Sequence, residues 1–236
     1  MTSRRPSRTA KAQGQRAVSP GRPPKTEVAG RLQHILRVAS AEFVNRGYAD
    51  ASVSRIAADA GVSKKTIYAR YPNKDALLMA VAGELATSVY DVVMTAMGGA
   101  ADGEPEEVLT AFGTAIATNW ATPETIGVYR LFVAEAVRFP QLGSMYREIM
   151  ARFRSALADY LREQCDAGTL HIVDVDAASH QFGMLAYGDI RERRLLGETV
   201  TEDDIVETVR QTVDVFLRGY STTDPAGVHV GPSIAE

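Results

Sequence analysis

The amino-acid sequence predicts an all-α chain. Apolar residues recur at i, i+3, i+4 and i+7, the spacing of a one-sided helix, from Leu32 to Leu217. Glycine and proline interrupt that pattern at Gly47, Gly61, Pro72, Gly98-Gly99, Phe139-Pro140 and Gly168, where helices stop. Only Leu170 to Val173 reads as extended, and it is too short to count as a strand. At 236 residues, 45% apolar and 23% charged, the chain suits a small unit followed by a larger one.

Residues 1–26 carry seven basic and no acidic side chains and hold no apolar pattern, so a disordered basic arm is expected. Glu27 to Arg46 forms the first helix, with Leu32, Ile35, Leu36, Ala39, Phe43 and Val44 facing inward. Gly47 ends it. The net charge of −3 hides an asymmetry: residues 1–26 carry +7, residues 27–80 carry +3 and the remainder −13. Such a chain offers one end to phosphate and withholds the other.

The stretch Ser52 to Lys74, SVSRIAADAGVSKKTIYARYPNK, lies in that basic third. Val53, Ile56, Ala57 and Ala60 make one short helix, with Ser52 at its N-cap position. Gly61 supplies the left-handed residue of a tight turn. Ser63 caps a second helix, Lys64 to Arg70, and Pro72 stops it. Ile67 turns inward with Val62, leaving Lys64, Lys65, Thr66 and Tyr68 on the open face. A short helix, a glycine turn and a second helix with a basic, hydroxyl-bearing face read as a helix-turn-helix, the second helix entering the major groove.

The run from Leu32 to Leu78 resembles the DNA-binding domain of TetR-type transcriptional regulators. The likeness rests on AEFVNRGY (41–48), on SVSRIAADAGVSKKTIYARYPNKDALL (52–78) and on the Leu32/Ile35/Leu36/Ala39/Phe43 helix before them. Tyr71 and Ser52 stand where the family more often has Phe and Thr, swaps that keep the chemistry. The resemblance implies a DNA-binding domain over 27–75 and a ligand-binding and dimerisation domain over 76–220. On that pattern Lys64 and Thr66 meet base edges, and Lys65 meets a base or a phosphate. Tyr68 meets a thymine methyl or a phosphate, while Ser52, Tyr71 and Lys74 set register on phosphates. Arg22 and Lys25, at the end of the arm, either follow an A·T-rich minor groove or only attract phosphate.

Asn73 is the N-cap of a long fourth helix running to about Met97, with the stripe Leu77, Leu78, Val81, Leu85, Val89, Val92 and Val93. Glu106 to Ala121 follows, then a helix from Pro123 through Ile126, Phe132, Val133 and Val137. Leu142 to Asp166 is next, then 176–187, a charged connector Arg191-Glu192-Arg193-Arg194, and 202–219 started by Thr201. Residues 221–236 are Gly-, Pro- and Thr-rich and expected to be a flexible tail. Residues 130–153 and 161–170 resemble the ligand-binding half of a TetR branch that includes repressors of multidrug efflux.

Together these features predict a sequence-specific, double-stranded-DNA-binding transcriptional regulator. It is expected to act as a repressor on a palindromic operator, released by a small-molecule inducer. By the resemblance, the helices at 176–187 and 202–219 pair two copies into a homodimer. Trp120, Tyr129, Phe132, Met145, Phe182 and Met184 are the large residues that either line the inducer pocket or fill core. Two other readings stay open: an architectural DNA-binding protein without an effector, and an activator of the same fold. No enzyme is expected, because four scattered histidines and no phosphate-cradling glycine loop offer no catalytic constellation. No cofactor or metal is expected either, since His180 and Asp176 lack a third ligand. Cys165, the one cysteine, permits no intrachain disulfide and fits a bacterial cytoplasmic, nucleoid-associated protein. No run of about 18 apolar residues suggests a membrane span.

Overall fold

Hydrogen-bonding side chains at several helix starts set the element boundaries. Ser63, Asn73, Thr122, Asp174 and Thr201 each accept a backbone N–H from the first turn that follows, meeting donors that the helix itself leaves open. The computed structural model describes residues 25–221; the arm with Arg22 and the tail from 222 onward lie outside the described residues. Within them run α1 (Lys25–Asp50), α2 (Val53–Asp59), α3 (Lys64–Tyr68), α4 (Lys74–Gly99), α5 (Pro105–Ala121), α6 (Pro123–Glu135), α7 (Pro140–Asp166), α8 (Val175–Leu195) and α9 (Glu202–Tyr220). Leu170 makes one isolated antiparallel bridge with Ser221, and no strand occurs among the described residues. The all-α reading therefore holds.

Two hydrophobic cores organise the helices. The first gathers Ile35, Ala39 and Phe43 of α1, Ile56 of α2, Ile67 of α3 and Leu77, Leu78, Val81 and Ala82 of α4. It does not stop at residue 75: Val128, Leu131 and Phe132 of α6 and Leu142 of α7 belong to it. The second gathers α5, α7, α8 and α9 around Phe112, Trp120, Phe182 and Phe216, and reaches α4 at Val93. Thus α4 has one end in each core. Its composition and length would suffice to cross a membrane, but its buried residues are divided between the two cores.

Several sequence expectations need correction. The second-to-last helix does not end at 187. α8 continues to Leu195, and Arg191 to Arg194 form its last turns rather than a connector. Phe182, Ala186 and Ile190 explain this, because they keep one buried stripe running through Gly188 while the arginines lie around it. Gly197, at φ 90°, makes the exit. Ser52 holds the N-cap position of α2, yet its side chain makes no cap bond. Val92, Val133 and Val137, spaced as inward residues, are exposed.

α6 lies close on α1 because residue 127 is a glycine. A Cβ there would stand 2.4 Å from Val44 Cγ1, well inside van der Waals contact. The guanidinium of Arg130, one turn on, donates to the carbonyls of Arg194 and Leu195 at 2.9 and 2.7 Å. It thereby closes the C-terminus of α8 and ties that helix to α6. Gly127→Ala should lower stability by about 1–3 kcal/mol through overpacking. Thermal unfolding should show the loss, and Val44→Ala in the same chain should recover most of it.

Candidate nucleic-acid interface and inner cavity

The turn between α2 and α3 is built by local bonds. Gly61 sits at φ 64°, its N–H bonds the Ala58 carbonyl at 3.1 Å, and the Val62 N–H bonds the Ala57 carbonyl at 2.9 Å. Ser63 Oγ accepts the Thr66 N–H at 3.0 Å and lies 2.8 Å from Thr66 Oγ1. Ile67, 1% exposed, fixes the rotation of α3. Lys64, Lys65, Thr66 and Tyr68 therefore stand together on the solvent side of a five-residue helix. An aromatic ring 45% exposed beside two free-standing lysines suits base edges and phosphates.

The other expected contacts are placed differently. Tyr71 is buried in the first core; burial raises its pKa and Arg70 only partly offsets this. Its role there is packing. Lys74 Nζ donates to the carbonyls of Tyr48, Ala49 and Ala51 at 2.6, 3.0 and 3.2 Å and lies 4.5 Å above the Tyr48 ring. All three ammonium protons are thus engaged with the end of α1, and the residue clamps the start of α4 to it. The Tyr48 hydroxyl donates to Asp75, a second tie between α1 and the start of α4. Ser52 is half-buried and its N–H donates to Glu42 Oε1 at 2.9 Å. The side chain of Lys25 lies outside what is described.

Sequence reading missed Glu42 as the hub of this unit. Its buried carboxylate takes the Ser52 N–H, the Arg55 guanidinium at 2.6 Å and Arg46 at 3.4 Å, while Arg55 also caps the Asp50 carbonyl at 2.6 Å. Burial pushes the carboxyl pKa up, but the Arg55 hydrogen bond, the Ser52 N–H and the two arginine charges together hold it below its ordinary value. A glutamate beside Ala39 and Phe43 on the inward face of α1 was the available signal: a buried acid needs partners.

A narrow cavity of about 50 Å³ lies between the two cores. Leu85, Ala86 and Val89 of α4 form one wall, and Trp120, Tyr129, Phe132 and Tyr146 the opposite one. Trp120, Tyr129 and Phe132 are thus brought together as expected of a pocket. Met145 instead packs against the first core, Phe182 is wholly buried in the second, and Met184 is 39% exposed on the outer side of α8. Spacing along a helix does not say which of two adjoining cores a residue serves. The Tyr146 hydroxyl stays protonated because burial, then Tyr187 and Tyr129, raise its pKa.

The outer faces of α8 and α9 expose Met184, Leu185, Val206 and Val215. Asp176 pairs with Arg162 at 2.7 Å, and among the described residues no cluster of three metal-ligating side chains occurs.

Two family patterns match the chain. Bacterial regulatory proteins of the tetR family match residues 35–81, and the C-terminal domain of AefR-like transcriptional repressors matches residues 107–222. No curated protein sequence matches. Among solved structures, a TetR-family transcriptional regulator from Mesorhizobium loti MAFF303099 superposes with a TM-score of 0.77 at 22% identity, over 84% of this chain and 100% of that one. The flavonoid-responsive regulator FrrA gives 0.67 at 25% identity over 83% and 100%. A transcriptional regulator from Pseudomonas aeruginosa PAO1 gives 0.70 at 24% over 83% and 94%.

Lys74→Met should cost about 1–3 kcal/mol of stability, since it strands three carbonyls, whereas Lys64→Ala should change thermal unfolding by less than about 0.5 kcal/mol. The Glu42 contribution carries a pH signature. A depressed folded pKa means its stabilisation is complete above the ordinary value near 4.5 and is lost as pH falls through the lower folded value. Acid unfolding of Glu42→Gln should lack that part of the decline.

Proposed function

The chain belongs to the TetR family of bacterial transcription regulators, and we propose that it is a dimeric repressor that reads a palindromic operator and is released by a small molecule. The observation that carries this is the exposed Lys64, Lys65, Thr66 and Tyr68 face, held outward by buried Ile67. A five-residue helix reads few base pairs. Two copies about 34 Å apart would read a near-palindrome.

The apolar residues on the outer faces of α8 and α9 support pairing through those helices, four to a bundle. Met184, which does not line the cavity, then becomes a dimer contact. Thr66 and Lys64 take base edges, and Lys65 and Tyr68 take base or backbone. The basic arm, with Arg22 and Lys25, adds phosphate attraction or enters the minor groove. Such a protein acts on chromosomal DNA in the cytoplasm.

Release follows from the cavity's size and position. At about 50 Å³ it is far smaller than the roughly 300 Å³ or more of a typical ligand site, so an entering molecule must part its walls. One wall is α4, and the start of α4 is bolted to the DNA-reading unit by Lys74 and by the Tyr48–Asp75 bond. Displacing Leu85 and Val89 therefore shifts α3. The shift is limited to the ligand's differential affinity for the two arrangements. FrrA, the flavonoid-responsive neighbour, supports a small organic effector.

Genomic-fragment selection at physiological salt should recover one inverted repeat; uniform recovery of fragments would contradict operator reading and favour an architectural protein. On the recovered site, Thr66→Ala should lose about 1–3 kcal/mol of discrimination at one base pair. Lys65→Ala, if it serves phosphate, should weaken all sequences and flatten the salt slope by about one unit. Electrophoretic mobility shifts over a salt series separate the two.

A further inference from the structure

Four of the eleven arginines from residue 130 onward are matched by acids among the described residues. Arg162, Arg193, Arg210 and Arg218 stand 2.7–3.2 Å from an Asp or Glu. Arg191, half-buried in the last turns of α8, has no carboxylate within reach among the described residues. Its neighbours Asp189, 3.9 Å from Arg193, and Glu192 are both exposed. The Arg191 guanidinium instead lies 5.5 Å from the ring centres of Trp120 and Tyr129 and 5.3 Å from that of Tyr187. Its one polar contact is a long 3.4 Å bond to the Tyr146 hydroxyl. Of its five N–H donors the hydroxyl takes one, and the half-exposed side chain leaves the others open to solvent or a ligand.

Trp120, Tyr129 and Tyr146 are also lining residues of the cavity. Trp120 and Tyr129 thus both line the cavity and flank the guanidinium, and the hydroxyl of Tyr146, a third lining residue, bonds it, so Arg191 stands just beyond this wall. A second cation stands nearby. Arg154 lines a smaller adjoining cavity that shares Ile116, Met150 and Phe153 with the first and ends on Tyr187. No hydrogen bond or ion pair joins Arg154 to any acid among the described residues. Tyr146 cannot supply the missing negative charge, since burial keeps it protonated.

We propose that the effector is an organic acid with an apolar body, whose anion takes the Arg191 guanidinium while the body fills the space between α4 and the Trp120–Tyr129–Tyr146 wall. This rests on reading the cavity as the effector site. A carboxylate or acidic phenol replaces the long tyrosine bond with short charge-assisted ones, bidentate for a carboxylate. Leu85, Val89, Ile149 and Met150 take the apolar part. A neutral analogue gains burial alone. A cationic analogue meets an arginine with no acid to screen it and is rejected.

The test is calorimetric titration of the full chain with three probes of one shape and different charge: 2-naphthoate, 2-naphthamide and 2-naphthylmethylammonium. The carboxylate should bind at least about tenfold tighter than the amide, and the ammonium should not bind. In Arg191→Met the carboxylate-to-amide ratio should fall to about one, with the affinity for the amide unchanged. Arg191→Lys, which keeps the charge, should retain part of the preference and decides the matter if Arg191→Met fails to fold. Equal or tighter binding of the amide, an unchanged ratio in the variants, or no binding of any probe would overturn the proposal. Operator binding followed in the same samples separates this from the wider reading. Naphthoate that binds without releasing DNA overturns the effector role of the cavity and leaves acid selectivity standing, whereas equal release by amide and acid does the reverse.

Discussion

The N-terminal helices α1 to α3 and the start of α4 do not close their own core. Phe43, Ile56, Ile67 and Leu77 are sealed by Val128, Leu131 and Phe132 of α6 and by Leu142 of α7, all residues of the larger helical half. Small helical units bury little of their surface alone, and this one borrows what it lacks. The close approach of α6 to α1 that makes the loan possible needs glycine at 127, where Val44 leaves no room for a Cβ. The orientation of α3 is thus set partly by residues far from it in sequence.

α4 carries that dependence from one core to the other. Its first turns sit in the shared core, its middle lines the cavity with Leu85 and Val89, and Val93 lies in the second core. Packed interiors transmit displacement because they hold no slack. The clamp of Lys74 on the carbonyls of Tyr48, Ala49 and Ala51 removes slack at the junction with α1. Arg130, holding the end of α8, makes the same α6 answer to the helix that bears Arg191. The cavity, α8 and α3 are joined by few and short connections.

What was legible in the sequence was local. The caps at Ser63 and Asn73, the turn at Gly61, the break at Gly47 and the inward Ile67 all follow from nearest-neighbour geometry, and the structure has them. What was not legible was the direction of long polar side chains. Lys74 looks like a phosphate ligand in sequence because its partners, the carbonyls ending α1, are more than twenty residues away. Glu42 lies on the inward face of α1, which signals a buried acid, but its partners Ser52 and Arg55 sit beyond the next turn and do not show in the helix pattern. α8 was cut short because four charged residues in a row read as loop, while Ile190 alone carried the buried stripe onward. Of the six residues offered for a pocket, Trp120, Tyr129 and Phe132 line the inner cavity, while Met145, Phe182 and Met184 do not, since periodicity reports burial but not which cavity a buried face adjoins.

The claim beneath this account is that the two cores form one cooperative unit. Trp120, the one tryptophan, reports the second core by its emission, while helical circular dichroism reports both. Guanidinium unfolding at fixed protein concentration, followed by the two signals on the same samples, tests it most directly. Superimposable transitions with one midpoint are predicted. A loss of helical signal in a separate, earlier transition, with Trp120 emission unchanged, would show that the N-terminal helices fold and unfold on their own and would contradict the shared core.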